Sequence, residues 1–142
     1  MYQGILTIGD LDIAWRTVWQ EARNQPYIGK LGVAWTLRNR LEWKPGDRWA
    51  TLGQTCLDWM QYSGWRDQDK NMQLSMAADL DGLGRECLRA VLEAFAGNVS
   101  DDPTRGARHY YAPKAMPTPP AWAVGHQPSA IIQDHYFFTG VQ

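Results

Sequence analysis

Residues 11–41 read LDIAWRTVWQEARNQPYIGKLGVAWTLRNRL, and this stretch decides the fold. Leu11, Trp15, Val18 and Ala22 follow i, i+4, i+7, i+11 spacing, the apolar stripe of an amphipathic helix. Asp10 or Thr7 can cap its start. Asn24-Gln25-Pro26 ends it, because Asn tolerates a left-handed C-cap and Pro cannot continue a helix. A second helix is predicted from about Pro26 to about Glu42, with Leu31, Ala34, Leu37 and Leu41 on its apolar face. Pro45-Gly46 then breaks the chain.

Outward from that pair, a shorter helix is predicted over Trp49 to Gln61. Another is predicted from about Arg85 to Ala96, with Cys87, Leu88, Val91, Leu92 and Phe95 facing inward and Gly97 as its stop. The last third differs. It holds most of the prolines, including Pro113, Pro117, Pro119 and Pro120, and all three His. Arg108-His109-Tyr110-Tyr111 and Ile131 to Phe138 are short, aromatic and extended in character. The expected class is α+β, mainly helical: a helical body, a short β-hairpin and a long irregular C-terminal segment. A loop of that length in a small domain usually carries function.

The chain has 142 residues, which suits one domain, 1–142. Hydrophobic residues make up 44% and charged residues 20%, a globular composition. Eight Trp exceed what a core this size uses, and flat aromatic surfaces suit ring-shaped ligands such as sugars. The net charge is −1, without the basic footprint of a nucleic-acid binder. Cys56 and Cys87 both fall on inward helical positions and read as buried free thiols. No stretch reaches the roughly 20 apolar residues of a membrane span. No signal-peptide pattern opens the sequence. The expectation is a monomer made in the cytoplasm, needing no metal or cofactor.

Glu21 is the first candidate for chemistry. It borders the stripe of the first helix, three residues after Val18 and seven after Ala14, close to that helix's C-terminal end. Partial burial and the negative end of the helix dipole both favour its protonated form. A carboxyl neutral near pH 7 is what a general acid needs. Helix position alone fits a solvated Glu paired with Arg23 or Arg40 better; the rest of the chain is what raises it.

Glu21-Ala22-Arg23-Asn24-Gln25-Pro26-Tyr27-Ile28-Gly29, continuing through Val33-Ala34 to Leu37-Arg38-Asn39-Arg40, resembles the opening motif of the bacterial and phage cell-wall hydrolases typified by spore cortex-lytic enzymes. Tyr62-Ser63-Gly64-Trp65 resembles the family's aromatic-Ser-x-Trp element. Asp102-Pro103-Thr104-Arg105-Gly106-Ala107 with Tyr110-Tyr111-Ala112-Pro113 resembles its Asp-Pro-Thr-x-Gly-Ala-x-x-Tyr-x-x-Pro element, and His135-Tyr136-Phe137 its closing His-x-Phe. The pieces occur in order from about Ile13 to Phe138. Asn24 stands where the family has Gly, and Gln133-Asp134 where it has Gly-Asn.

The resemblance implies a lysozyme-like fold and cleavage of peptidoglycan glycan strands, typically as a lytic transglycosylase, with Glu21 as acid and base. With no cortex-specific module in this sequence, ordinary peptidoglycan is the expected substrate, as for a phage or prophage endolysin released through a holin. Tyr62, Trp65, Tyr110 and Tyr111 are candidates to stack on sugars, or else pack the core. Ser63 is a candidate to bond Glu21 or an N-acetyl group, or else caps a turn. Arg23 and Arg40 are candidates for stem-peptide carboxylates, or else pair with an acid. Asn39 is a candidate for substrate or for buried backbone, and His135 for touching substrate or bracing the cleft. His109 and His126 have no special claim.

A two-carboxylate glycosidase would need a partner for Glu21, and Asp58, Asp67, Asp102 and Asp134 are all open. A zinc amidase needs a ligand set that three scattered His do not form. A cysteine peptidase needs an accessible thiol. A non-catalytic wall-binding module would fit the aromatic content but would tolerate Glu21→Gln.

Overall fold

The computed structural model describes residues 1–43, 49–58, 62–66 and 69–141. Five helices precede a small sheet: α1 (Ile8–Ala22), α2 (Tyr27–Trp43), α3 (Leu52–Cys56), α4 (Lys70–Ala77) and α5 (Gly82–Ala96), then β1 (His109–Tyr111), β2 (Ala130–Ile132) and β3 (His135–Phe138). This is the mainly helical α+β class expected. Thr7 caps α1 in a capping box closed by Asp10. Trp15, Val18 and Ala22 are buried, and Leu11 packs against the same core half-buried.

The end of α1 differs from expectation. Arg23 stays right-handed at φ −57, and positive φ outside glycine occurs only at Arg105 and Gln133 among the described residues. The Gln25 N–H bonds back to the Ala22 carbonyl, so a tight turn rather than a left-handed Asn24 leads to Pro26. The helix α3 is five residues long, shorter than the expected Trp49–Gln61; Gln61 and the Pro45-Gly46 break lie outside the described residues. Cys87, Val91 and Phe95 of α5 are buried, but Leu92 is 47% exposed. It sits on the outer edge of the helix, a face the residue list alone could not orient. The helix α4 was not anticipated at all.

The helix α2 is the central element. It packs on α1, α3 and α5, and Lys30, Thr36, Arg38 and Arg40 are buried on it beside the apolar stripe. Arg38 explains how a charge is tolerated there: its guanidinium donates to the carbonyls of Ala94 and Gly97 at 2.8 and 2.7 Å and pairs with Glu42 at 3.0 Å. Cys56 and Cys87 are buried free thiols, and burial pushes each up to about 12.

The sheet has order β1-β3-β2, all antiparallel, so β1 joins the expected hairpin as a third strand. Strands β2 and β3 meet through a two-residue turn, with Gln133 at φ 54. The sheet leans on α2 at Gly32, where a Cβ would lie 2.8 Å from the Phe137 ring. One face, with Tyr110 and Phe137, meets the helical body; the other gathers Tyr111, Trp122, Tyr136 and Phe138 into a satellite cluster. The strands thus stand opposite the end of α1, where Glu21 lies.

Candidate active site

Glu21 is the penultimate residue of α1 and is half-buried. Two adjoining pockets meet at it. One, of about 250 Å³, runs past Arg23, Gln25, Asn71, Lys114 and Asp134. The other, of about 440 Å³, runs past Arg40, Ser63, Tyr110, Tyr111 and Met116. Both include Glu21, Ala112, Ala115 and His135, so they form two arms of one cleft with the carboxyl at the elbow. Ser63 reaches this position because its 3-10 turn, Ser63–Trp65, presses on α1: a Cβ on Gly64 would lie 2.3 Å from the Gln20 amide oxygen.

Burial pushes the Glu21 carboxyl up to about 7. Opposing that are a hydrogen bond from the Tyr110 hydroxyl and the nearby charge of Arg40, while Asp69 adds to the rise. At neutral pH the group therefore holds its proton about half the time. Tyr110 is pushed well above its ordinary value by burial and by Glu21, so it remains a donor.

His135 lies edge-on to Tyr110 with ring centroids 5.2 Å apart. It is 5% exposed, its Nδ1 is buried without a hydrogen-bond partner, and burial holds it below its ordinary value against the pull of Asp134. The imidazole at the elbow is therefore mainly neutral at pH 7. Asp134 clips the hairpin turn across to the α1–α2 turn: its carboxylate accepts from Gln25 at 3.1 Å and from Lys114 at 3.0 Å, and its N–H donates back to Gln25.

Asp102, Asp58 and Asp69 each have donors of their own, and Asp69 is still close enough to act on Glu21. Asp102 accepts from Asn39, from the Thr104 N–H and hydroxyl, and from the Gly106 N–H, all within 2.7–2.8 Å. Asp58 accepts from the Trp49 indole, and Asp67 lies outside the described residues. Asp69 caps α4 by accepting from the Asn71 N–H at 2.7 Å.

A model of the family described as Cell Wall Hydrolase matches residues 24–138, most of the chain. The chain belongs to the cell wall hydrolase family. The match begins three residues after Glu21, so membership rests on the motifs downstream of that residue. Two solved structures share the fold. The catalytic domain of the Bacillus cereus SleB protein is 20% identical, with a TM-score of 0.71 over 97% of this chain and 95% of that one. The catalytic domain of the germination-specific lytic transglycosylase SleB from Bacillus anthracis is also 20% identical, with a TM-score of 0.70 over 96% and 99%. No curated protein matches the chain.

In this cell wall hydrolase, Glu21, Arg23, Ser63, Tyr110, Tyr111 and His135 line the cleft together. Three other residues expected at the site stand behind it. Tyr62 is fully buried in the core. The Trp65 indole donates to the Thr17 hydroxyl at 2.8 Å and packs against the core. Asn39 donates to Asp102 and to the Ala107 carbonyl, bracing the loop before β1. Arg23 lies over the Trp19 ring and donates to Asn71, so its charge is partly used in joining α1 to α4. Asn71, Lys114 and Ala115 line the cleft without having stood out in the sequence: α4 shows no stripe, and Lys114 sits in irregular chain. Asp69 was likewise missed, although a helix-capping Asp ahead of Lys70-Asn71 was a usable signal.

Proposed function

We propose that the chain cleaves the MurNAc–GlcNAc glycosidic bond of peptidoglycan as a lytic transglycosylase, with Glu21 as its general acid and then its base. The supporting observation is the Glu21 carboxyl at the cleft's elbow, pushed by burial to about 7. In the first step its proton passes to the glycosidic oxygen as the bond from muramoyl C1 breaks. The carboxylate left behind then takes the proton of the same sugar's 6-hydroxyl. That oxygen bonds to C1, closing a 1,6-anhydro ring and restoring the acid. One carboxyl serves both transfers, and Asp102, Asp58 and Asp69 are each bonded to donors of their own. The Tyr110 hydroxyl steadies the ionised intermediate form of Glu21. Ser63 and the neutral His135 offer polar contacts to the sugar on either side.

A hydrolytic reading is favoured by one observation: Asp134 lines an arm of the same cleft. There it would activate a water in place of the 6-hydroxyl. Mass spectrometry of muropeptides released from purified sacculi separates the two. Anhydromuramoyl ends are expected; ends reducible by borohydride throughout would overturn transglycosylation. In the cell we assign the chain an endolysin's role, made in the cytoplasm and reaching the wall after release. Expression in a host with and without a holin tests this, with lysis expected only when the holin is present.

A further inference from the structure

We propose that Arg108 is a binding site for a carboxylate of the peptidoglycan stem peptide, set beside the cleft so that the enzyme favours peptide-bearing strands. This rests on the glycan-cleaving reading above.

Arg108 directly precedes β1, and its N–H continues the ladder to the Phe138 carbonyl at 3.2 Å. Side chains alternate along a strand, so Arg108 shares a face with Tyr110, about 7 Å further along. Tyr110 is the residue that bonds Glu21. On that face Arg108 meets α2. Its guanidinium lies over the Trp43 ring, 4.3 Å from the centroid, and its backbone carbonyl accepts from Arg40 Nε at 2.5 Å. Arg40 in turn lines the arm of the cleft that holds Tyr110 and Ser63. Trp43 and Arg40 stand one helical turn apart, so the residue before β1 brings a second guanidinium alongside the one that lines the cleft.

Among the described residues no carboxylate pairs with Arg108, and its Nε is buried without an acceptor. Burial and the charge of Arg40 both weaken its hold on its proton. A half-buried cation with a like charge as neighbour is stabilised by an anion that reaches the exposed edge of its guanidinium. Stacking on Trp43 fixes the guanidinium plane, and a fixed planar fork suits a two-oxygen acceptor. An N-acetylated glycan strand whose lactyl carboxyls are all in amide linkage to stem peptides carries no charge of its own. Its anionic groups are the carboxylates of the stem peptides, which leave the muramoyl residues sideways. A muramoyl residue held at Glu21 therefore brings a carboxylate toward this side of the cleft.

The test compares three substrates: intact sacculi, the same strands stripped of stem peptides by an amidase and then converted to amides at the lactyl carboxyls this frees, and sacculi with peptide carboxyls converted to amides. Arg108→Gln is expected to slow release from intact sacculi about tenfold, the scale of one charge-assisted hydrogen-bonded contact. On stripped strands it should match wild type within about twofold. Wild type should itself lose a similar factor on amidated sacculi, a comparison that needs no variant. Arg108→Lys, which keeps the charge but loses the fork, should fall between. Equal slowing of R108Q on intact and stripped strands would mean a structural role and overturn the proposal. Unchanged rates on intact sacculi, or a wild type indifferent to amidation, would overturn it too. A wild type inactive on every substrate would instead remove the glycan-cleaving reading, and this proposal with it.

Discussion

Asp102 accepts four hydrogen bonds where Glu21 accepts one, although both carboxylates are set into the protein beside apolar elements. Asp102 lies in a loop whose backbone N–H groups turn inward to meet it, assisted by the left-handed Arg105 and Gly106. Its lone pairs are occupied and it faces no pocket described here. Glu21 comes from the last turn of a helix, where the nearest backbone groups are carbonyls rather than N–H donors. It receives the Tyr110 hydroxyl and otherwise opens to the cleft. The same functional group thus serves as a clasp in one place and a proton carrier in the other. The deciding variable is the supply of donors.

The largest effect that tests this contrast is on activity. Glu21→Gln keeps the shape and removes the proton, so release of muropeptides from sacculi should fall about a thousandfold, within the range of general acid–base catalysis. A variant as fast as wild type would remove Glu21 as the catalytic acid. Asp102→Ala should do the reverse. It leaves the N–H groups of Thr104 and Gly106 and the Asn39 amide without their acceptor, and should lower unfolding free energy by about 3 kcal/mol in a denaturant titration. The activity of the molecules still folded should change little.

A third effect concerns stability against pH. The folded-state value of Glu21, about 7, lies above its ordinary value of 4.5. The folded state therefore keeps a proton that the unfolded chain releases. The group's contribution to stability is full below about 4.5 and is lost as pH rises through about 7. Wild type should lose about 2 kcal/mol relative to E21Q between pH 5 and pH 8.5, a figure already discounted for the carboxyl's opening to the cleft. Parallel stability curves for the two proteins would contradict the burial argument.

Tyr110→Phe gives a smaller and more directional change. The hydroxyl's bond lowers the Glu21 value, so its loss should move the alkaline limb of the kcat/KM profile to higher pH by up to about one unit. A shift to lower pH would show that Tyr110 favours the neutral carboxyl instead. Smallest is Gln133→Gly, remote from Asp102 and linked to Glu21 only through the rim. Gln133 holds φ 54, and relief of that strain should stabilise the fold by about 1 kcal/mol in thermal unfolding.

Parts of this were legible in the sequence for identifiable reasons. The start of α1 was readable because the Thr7 and Asp10 box acts within one turn. The inward side of α5 followed from spacing, apart from Leu92. Glu21 stood out because its neighbours on the stripe are local and its motif continues downstream. The helix α4 could not be read, since it has no apolar stripe and its C-terminal end is fixed from afar: Arg16 donates to the carbonyls of Ser75 and Ala78, some sixty residues on. Tyr62, Trp65 and Asn39 looked like cleft residues because their motif places them near Ser63 or Glu21 in sequence. Which side of a turn faces the cleft is set by packing on α1, and no spacing rule encodes it. The charges on α2 were equally opaque, because the acceptors of Arg38 are carbonyls at the end of α5 and that of Arg40 is the Arg108 carbonyl before β1.

The two thiols carry a consequence for where such an enzyme can work. Cys56 and Cys87 are 0% exposed and burial pushes each up to about 12, so almost no thiolate is present to meet an oxidant or a disulfide. Its two thiols should pass unchanged between reducing and oxidising surroundings, needing neither a partner to protect them nor a bond to form on arrival.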